Sequence, residues 1–489
     1  MVFIYRNIAF AIQIKGKNME ANLGLFTDKY ELTMAQAYFK GGRVHSEAVF
    51  DYFFRNLPFQ NGFLVFAGLQ DFLSLLQDFS FGEESIDFLH RDHFDPDFLD
   101  YLKSFRFNGT IRAMREGEIV FPYEPLIRVE GTLIETQIIE TLLLNILNFE
   151  SLIATKAARV RLAAGDRAIS DFGLRRAHGL GGIHASRAAV IGGCNSTSNV
   201  LAAFRYGLTP VGTIAHSFIQ SFADELSAFR EYARFNPDTC FLLVDTYDTL
   251  NSGIPNAITV AKELERDGHR LVGIRIDSGD LAYLSKRARQ MLDEAGLDYV
   301  KISVSNQLDE RVIKSLIEQG APIDLFGVGT RLITGQPDSA LDGVYKLALA
   351  EGEPRMKISD SLSKTTLPGK KNVFRYSNGE GGFLADAIVL EDETKIEYIY
   401  HPFEKEKHFR VANFHKEALL HPVVVNGEIV LPFKSVSEIA SFVRERLALL
   451  PPEHKRFEYP HIYKVGISKK LRNLRDIIVK QHLGEDEEV

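Results

Sequence analysis

The chain has 489 residues, of which 45% are hydrophobic and 25% are charged, and its formal net charge is −8. A chain of this length can bury a sizeable core, so we expect one large domain and one or two smaller ones. The acidic balance argues against a nucleic-acid-binding protein, which usually presents a basic face. Two cysteines, Cys194 and Cys240, are too few for a disulfide framework, and we expect a reducing, cytoplasmic environment.

The first eighteen residues contain an apolar run that Arg6 interrupts. No small-residue cleavage site follows this run, and it is too short to span a membrane. We therefore interpret residues 1–18 as an extension of uncertain role, neither a signal peptide nor an anchor, and expect no membrane partner.

Residues 19–150 predict an amino-terminal domain of the α+β type. An amphipathic helix is expected at 23–40. Strands rich in aromatic residues, with prolines at their turns, are expected at 45–57 and 109–132. The run Thr136–Arg159 carries a broad apolar stripe, which is typical of a helix packed against a core.

Residues 151–350 alternate short apolar strands with helical stretches. This alternation predicts a parallel sheet with helices outside it, and near-continuous apolar strands indicate burial on both faces. Strands are predicted at Ala168–Asp171, Pro210–Ile214, Phe241–Asp245, Leu271–Asp277, Val300–Val304 and Ile323–Val328. Helices are predicted between them at Phe218–Phe235, Ala257–Asp267, Leu281–Ala295 and Asp309–Gln319.

Each of these six predicted strands is followed by residue types suited to chemistry. The exits are Asp171/Arg175, Thr213/His216, Asp245/Asp248, Asp277/Asp280, Ser305/Asn306 and Gly327/Gly329/Thr330. A closed βα barrel brings such exits to one face, whereas an open doubly wound sheet spreads them along a crevice. Six polar exits favour an irregular α/β barrel as the catalytic domain over 151–350.

The carboxy-terminal region, residues 351–489, again mixes short strands with helix. Strands are predicted at Asn372–Tyr376 and Pro422–Val430. A helix is predicted at Ser435–Leu449, where Ser435 and Glu438 have the spacing of a capping box.

The turn Gly327-Val-Gly-Thr330 ends an apolar strand in a form suited to wrapping backbone N–H groups around a phosphate. Its glycines allow close approach because they carry no Cβ. The turn is not a P-loop, since no Gly-Lys-Ser/Thr follows, and its glycine spacing is not that of a dinucleotide-binding fingerprint. A tight structural turn is the alternative interpretation.

Arg275 alternates with Gly273 and Asp277 along one predicted strand, so the three residues share a face. A buried arginine requires a carboxylate or a phosphate, and a structural Arg–Asp pair is the alternative to a binding role. A second acidic strand end is supplied by Asp245-Thr-Tyr-Asp248. Carboxylates that converge on one mouth suit Mg²⁺, and they also stabilise positive charge on a sugar.

His216 follows Gly212-Thr-Ile-Ala, just beyond a predicted strand. A lone histidine is usually a packed or solvated residue, although a neutral imidazole can act as a nucleophile near pH 7. The adjacent Arg175 and Arg176 follow another strand. Their guanidinium groups fit phosphate oxygens, and a solvated pair is the alternative.

Together, these segments resemble the nicotinate phosphoribosyltransferase family. The resemblance covers nearly the whole chain and rests on six segments in this order: Thr27-Asp-Lys-Tyr-Glu-Leu-Thr-Met34, Asp171-Phe-Gly-Leu-Arg-Arg176, Gly212-Thr-Ile-Ala-His216, Asp245-Thr-Tyr-Asp248, Arg275-Ile-Asp-Ser-Gly-Asp280 and Gly327-Val-Gly-Thr330. It implies the type II phosphoribosyltransferase fold, which is an irregular α/β barrel with an α+β amino-terminal domain and a carboxy-terminal extension. It also implies a homodimer.

The resemblance further implies an ATP-dependent reaction of nicotinate with phosphoribosyl diphosphate, with ATP as co-substrate and Mg²⁺ as cofactor, in NAD biosynthesis. His216 corresponds to a histidine that ATP phosphorylates, and Asp248 and Asp277 correspond to an acidic pair near the ribose and metal. Nicotinate binding is implied for Tyr30, Thr213 and Arg275, and phosphoribosyl diphosphate binding for Arg175, Gly327, Gly329 and Thr330.

Three other interpretations compete. A nicotinamide phosphoribosyltransferase would also carry an arginine at position 275, but the stretch Tyr30–Met34 resembles the acid-using family more closely. A catalytically inactive binding scaffold is disfavoured by the presence of His216, the acidic strand ends and the glycine turn. An aldolase-type barrel needs a lysine at a strand exit, and Lys301 lies within a predicted strand instead.

Overall fold

A computed structural model describes residues 20–359, 364–404 and 406–483. The interpretation of residues 1–18 falls outside these ranges. The described chain divides into two compact units. The first takes the residues up to Ser151, those within Leu341–Phe433 and those from Glu445 onward, and the second takes Leu152–Ala340 and Lys434–Arg444.

The second unit is built on a six-stranded sheet in which every neighbouring pair of strands is parallel. The order across the sheet is Ser196–Thr197, Ala168–Asp171, Leu325–Val328, Lys301–Ser305, Gly273–Ile276 and Phe241–Leu243. The predicted α/β class with a parallel sheet is confirmed. The hydrogen-bonded ladder begins at Ser196–Thr197 and ends at Phe241–Leu243, so closure of the sheet into a barrel stays a prediction.

The predicted strand at Pro210–Ile214 is wrong. Pro210 forms only an isolated parallel bridge with Thr197, and residues 211–215 are irregular. Proline cannot donate a backbone hydrogen bond to a ladder, and Gly212 offers no side chain to pack on a sheet. The strand Ser196–Thr197, which was not predicted, takes the position at the sheet edge.

The predicted helix Phe218–Phe235 is two helices, His216–Gln220 and Glu225–Phe235. They are separate because the side chain of Asp224 accepts a hydrogen bond from the Ser227 backbone N–H and so starts a new helix. The other predicted helices are confirmed within a few residues at their ends, at Ile254–Arg266, Leu281–Glu294 and Glu310–Glu318. The remaining helical segments of this unit are Leu174–Arg176, Gly181–Gly192, Val200–Tyr206, Thr249–Gly253 and Thr330–Ile333.

The first unit contains two large sheets and a two-stranded ribbon, Leu64–Val65 with Ile119–Val120. The seven-stranded sheet has the order Glu353–Pro354, Gly343–Ala350, Glu47–Phe54, Ile127–Thr132, Thr110–Ala113, His421–Val425 and Glu428–Ile429. The six-stranded sheet has the order His408–Arg410, Tyr398–Tyr400, Val465–Ile467, Phe383–Leu390, Lys371–Ser377 and His415–Ala418. The mixed α+β character predicted for both ends of the chain is confirmed.

The helices of the first unit are Lys29–Lys40, Leu69–Asp78, Glu83–Arg91, Pro96–Lys103, Leu133–Ile138 and Lys469–Leu483. Short 3₁₀ segments occur at Glu20–Leu25, Pro58–Gln60 and Pro452–Lys455. Two helices, Glu140–Ala164 and Val436–Leu449, continue from one unit into the other. The predicted capping box before the second of them is present, since Ser435 and Glu438 exchange hydrogen bonds.

The stretch Leu133–Ala164 is long and apolar enough, by length and composition, to cross a membrane. However, 72% of its most apolar part is buried inside the protein. Burial of this kind is expected of a core helix that is apolar around most of its circumference.

Cys194 and Cys240 are both free and buried.

Candidate active site

The carboxyl ends of the parallel strands bring Asp245 and Asp277 together in the second unit. Oδ2 of Asp245 accepts a hydrogen bond from the Asp277 backbone N–H at 2.9 Å and another from the Ser278 hydroxyl at 2.6 Å. These bonds hold the Asp245 side chain against the end of the strand Gly273–Ile276. Oδ1 of Asp245 is buried and has no hydrogen-bond partner among the described residues. Asp245 therefore retains one carboxylate oxygen without a hydrogen bond in the part of the chain that the structure describes.

Asp277 connects this pair to two further groups. Its Oδ1 accepts a hydrogen bond from the Ser305 hydroxyl at the end of the next strand. Its Oδ2 lies 4.0 Å from Nε2 of His216. Both side chains remain accessible, at 33% exposure for Asp277 and 41% for His216. A carboxylate and an imidazole thus meet at the mouth of the strand ends, where a solute can reach both.

His216 is the first residue of the helix His216–Gln220, after an irregular segment and not directly after a strand. Its Nδ1 lies 3.1 Å from the hydroxyl of Thr246. A partner on one ring nitrogen fixes the orientation of the ring and leaves the other nitrogen to react. Nε2, which lies 4.0 Å from Oδ2 of Asp277, is therefore the ring nitrogen that Thr246 leaves free, and its reaction with a substrate stays a prediction.

Arg275 and Thr213 come from different segments of the sequence and contact each other. Nη1 of Arg275 donates to the Thr213 hydroxyl at 2.6 Å, and Nη2 donates to the Ile214 carbonyl at 3.2 Å. Nε of Arg275 has no partner within the described ranges. Burial lowers the pKa of Arg275, and Asp277 and Asp245 oppose this shift. Because its direct partners are a hydroxyl and a carbonyl, the alternative of a structural Arg–Asp pair is not supported.

Asp248 serves as a helix cap in this structure. Its Oδ1 accepts hydrogen bonds from the backbone N–H groups of Leu250 and Asn251, at 3.1 and 2.9 Å. Its Oδ2 accepts one from the Asn251 side-chain amide, and these bonds hold the pKa of Asp248 below its usual value. Both of its oxygens thus have local partners. The catalytic role of Asp248 stays a prediction.

Four residues at the site have no role assigned from the sequence: Asp245, Thr246, Ser278 and Ser305. Asp245 and Ser305 stand among the polar strand exits, so the pattern located them without indicating which atoms they contact. Thr246 and Ser278 each follow an aspartate at a strand end. A search for hydroxyl residues next to strand-end acids could have found them.

The glycine turn joins the strand Leu325–Val328 to the short helix Thr330–Ile333. A Cβ atom on Gly327 would lie 2.5 Å from the ring of Phe172, so only glycine fits there without displacement. Arg331, directly after the turn, forms an ion pair with Asp309, which caps the helix Glu310–Glu318. The turn is therefore held in place from both sides. Its role as a phosphate-binding loop stays a prediction.

Replacing Gly327 with alanine is expected to lower the free energy of unfolding by about 1–3 kcal/mol, because the added methyl overpacks a filled space. Gly212→Ala is the matched control, since a Cβ there meets nothing within 4 Å. Denaturant unfolding of both variants measures the difference. Equal stabilities for the two variants would contradict the close packing inferred for Gly327.

Arg175 and Tyr30 complete the set of predicted site residues. Arg175 is exposed in the helical turn Leu174–Arg176 and lies near enough to Arg275 to help lower the pKa of that group. Tyr30 belongs to the first unit, on the helix Lys29–Lys40, and is 47% exposed. Burial and the neighbouring Glu140 raise the pKa of the Tyr30 hydroxyl, which therefore stays protonated. Contacts of Tyr30 and Arg175 with substrates stay predictions.

Parallel strands that end in acidic side chains, with an arginine, a histidine and a glycine turn beside them, define an α/β enzyme with its site at the strand ends. Comparison with known proteins supplies the family. Three models match the chain: the nicotinate phosphoribosyltransferase N-terminal domain over 25–148, the nicotinate phosphoribosyltransferase family over 167–407, and its C-terminal domain over 370–475.

Similar proteins extend over nearly the whole chain. A nicotinate phosphoribosyltransferase of Bacillus subtilis (strain 168) is 42% identical, covering 92% of this chain and 93% of that protein. One of Dictyostelium discoideum is 38% identical, covering 96% and 90%. The crystal structure of human nicotinic acid phosphoribosyltransferase has a TM-score of 0.83 at 33% identity, covering 92% of this chain and 99% of that one. The chain therefore belongs to the nicotinate phosphoribosyltransferase family.

Proposed function

We propose that this chain transfers the phosphoribosyl group of phosphoribosyl diphosphate to nicotinate, and that ATP drives the transfer through phosphorylation of His216. The names of the relatives support the transfer reaction. One observation carries the ATP-coupled part. The accessible imidazole of His216 has Nδ1 against Thr246, which leaves Nε2 beside Asp277 as the reacting atom. A homodimer, implied by the family resemblance, belongs to the same proposal.

In the ATP-coupled step, the lone pair of Nε2 on His216 attacks the γ-phosphorus of ATP. An N–P bond forms, the bond from that phosphorus to the bridging oxygen breaks, and ADP leaves with the electron pair. The new phosphoryl group places negative charge next to Asp277. Like charges this close repel, so the phosphorylated site is higher in energy until water later cleaves the N–P bond and releases inorganic phosphate.

In the transfer step, Arg275 and Thr213 position the nicotinate carboxylate, and Arg275 supplies donors suited to it. The nicotinate ring nitrogen attacks the anomeric carbon as the carbon–oxygen bond to diphosphate breaks. Positive charge develops on the sugar in this step. The resemblance puts Asp248 and Asp277 near the ribose, where their carboxylates would stabilise that charge, while the turn Gly327–Thr330 and Arg175 hold the phosphates.

The donor set at the strand ends also fits Mg²⁺. Asp245 offers a buried carboxylate oxygen without a partner in the described ranges, and Asp277 offers a partly exposed carboxylate beside it. Mg²⁺ prefers oxygen ligands and commonly uses one or two carboxylates together with substrate phosphates. We propose that Asp245 and Asp277 hold the ion, which when bound would neutralise charge on the departing diphosphate.

Steady-state assays with nicotinate and with nicotinamide, each with and without ATP, test the function. We expect the catalytic efficiency with nicotinate to exceed that with nicotinamide about tenfold to a hundredfold, because a charged acceptor gains more from Arg275 than an amide does. ATP should raise turnover, and chelation of Mg²⁺ should abolish it. A preference for nicotinamide would contradict the substrate assignment, and absence of turnover with both would favour a binding scaffold.

A further inference from the structure

The first unit contains a cavity of about 560 Å³, a volume typical of small-molecule sites. Its walls combine side chains from the strands Glu47–Phe54 and Gly343–Ala350, from the helix Lys469–Leu483 and from the segments around Tyr123 and Phe403. None of the residues proposed for phosphoribosyl transfer lines it. The cavity is therefore a separate feature of the molecule.

One wall of the cavity contains the carboxylate of Asp51, and only one of its two oxygens has a partner among the described residues. Asp51 is 3% exposed, and its Oδ2 lies 2.7 Å from Nζ of Lys371. Its Oδ1 is buried and has no hydrogen-bond partner among the residues that the structure describes. Burial raises the pKa of Asp51, although Lys371 opposes the shift. A buried acceptor without a donor is unfavourable, so a hydroxyl or amino group of a ligand would be bound there favourably.

The charges around the cavity favour an anion. Its lining includes four basic side chains and two acidic ones. Three of the basic side chains already have partners. Lys371 contacts Asp51 and two backbone carbonyls. Arg475 pairs with Asp476, and Nζ of Lys346 lies 3.8 Å from Glu140. Lys480, in the last turn of its helix, makes no ion pair with any residue in the described ranges. An anionic ligand would give Lys480 a partner.

A third part of the lining is aromatic. The rings of Tyr123 and Phe403 meet edge to face with their centroids 5.0 Å apart, and Phe53 lines the same space. Tyr123 has a φ of 72°, in the left-handed region that residues other than glycine rarely adopt. Strained backbone of this kind clusters at ligand-binding positions. The aromatic pair offers a surface for a planar ring.

We propose that this cavity is a binding site for a mononucleotide, with the phosphate at Lys480, a ribose hydroxyl donating to Oδ1 of Asp51, and the base against Tyr123 and Phe403. Each of the three groups of such a ligand would contact one of the three features of the cavity wall. A free phosphate would use Lys480 alone, and an apolar molecule would leave both Lys480 and Oδ1 of Asp51 without partners. The site lies outside the residues assigned to transfer, so it adds a second nucleotide site to the proposed enzyme.

Isothermal titration of the full chain with AMP tests this site. We expect saturable binding that Lys480→Ala weakens about tenfold, because it removes one charge-assisted contact with the phosphate. Phe403→Ala should also weaken it. Lys470→Ala is the matched control, since Lys470 lies on the same helix, pairs with Asp392 and does not line the cavity. Asp51→Asn tests directly whether the Asp51 carboxylate accepts a hydrogen bond from AMP. If the Asp51→Asn variant does not fold, the comparison of Lys480→Ala with Lys470→Ala still tests the proposed site.

Photolabelling with 8-azido-AMP, followed by peptide mapping, distinguishes this site from the catalytic one. The expected label is on peptides that contain Tyr123 or Phe403. Label confined to peptides with His216 or the turn Gly327–Thr330 would overturn the proposal, as would equal AMP affinity in Lys480→Ala and Lys470→Ala or no saturable binding at millimolar AMP. Inorganic phosphate that binds as tightly as AMP would also overturn it. Because these readouts require no turnover, failure of the transferase proposal would be seen separately.

Discussion

His216→Ala is expected to abolish the transfer of label from [γ-³²P]ATP to the protein and to lower ATP-coupled turnover by about a thousandfold. The substitution removes Nε2, the only ring nitrogen not engaged by Thr246. Acid-labile, base-stable label on the wild-type protein, counted after gel filtration, is the direct measurement. ATP-independent transfer should survive in part, because Arg275 and the carboxylates at the strand ends remain.

His269→Ala is the matched control. His269 is also on the second unit and near a carboxylate, with its Nδ1 2.8 Å from Asp238. It precedes the strand Gly273–Ile276, whereas the proposed site follows that strand. This variant should take up label as the wild type does. Wild-type protein that takes up no label would refute the phosphohistidine mechanism, even if nicotinate transfer were intact.

Arg275→Ala is expected to raise KM for nicotinate about a hundredfold, since it removes the half-buried guanidinium that we propose binds the nicotinate carboxylate. It also leaves the Thr213 hydroxyl without its partner. The KM of Arg275→Lys for nicotinate should lie between the values for the wild type and for Arg275→Ala, because lysine keeps the charge but cannot donate two parallel hydrogen bonds. Separate measurement of KM for nicotinate and for phosphoribosyl diphosphate is the informative assay.

Arg230→Ala is the control for this series, because Arg230 forms an exposed ion pair with Glu263 on the same unit. Such a pair contributes little to stability, so KM values should be unchanged. If Arg275→Ala raised both KM values equally, or altered only the thermal unfolding temperature, Arg275 would be a structural residue and not a contact of nicotinate.

Much of the second unit could be predicted from local pattern. Buried parallel strands are short and almost wholly apolar, so five of the six predicted strands were recognisable from their residues alone. The failure at Pro210–Ile214 has a local cause as well, because a proline and a glycine interrupt an otherwise apolar run. The break between the helices His216–Gln220 and Glu225–Phe235 depends on the helix cap at Asp224. The apolar periodicity runs through this position and so predicted a single helix.

The acidic pair shows where local pattern becomes insufficient. Asp245 and Asp248 stand three residues apart, and nothing in their spacing tells which one faces the site. The choice follows from pairing between strands: Leu243 lies opposite Arg275 in the parallel ladder, which brings Asp245 to the backbone N–H of Asp277. Asp248 is left to cap the segment Thr249–Gly253.

The sequence by itself determined the parallel α/β class, the family and the positions of polar strand ends, because these depend on periodicity, turn residues and short motifs. Tertiary structure alone decided which atoms meet. Thr213 contacts Arg275, Asp277 faces His216, and the cavity of the first unit joins Asp51 to Lys480 across more than four hundred residues. Such contacts depend on strand register and packing between elements distant in the chain, which local periodicity does not encode.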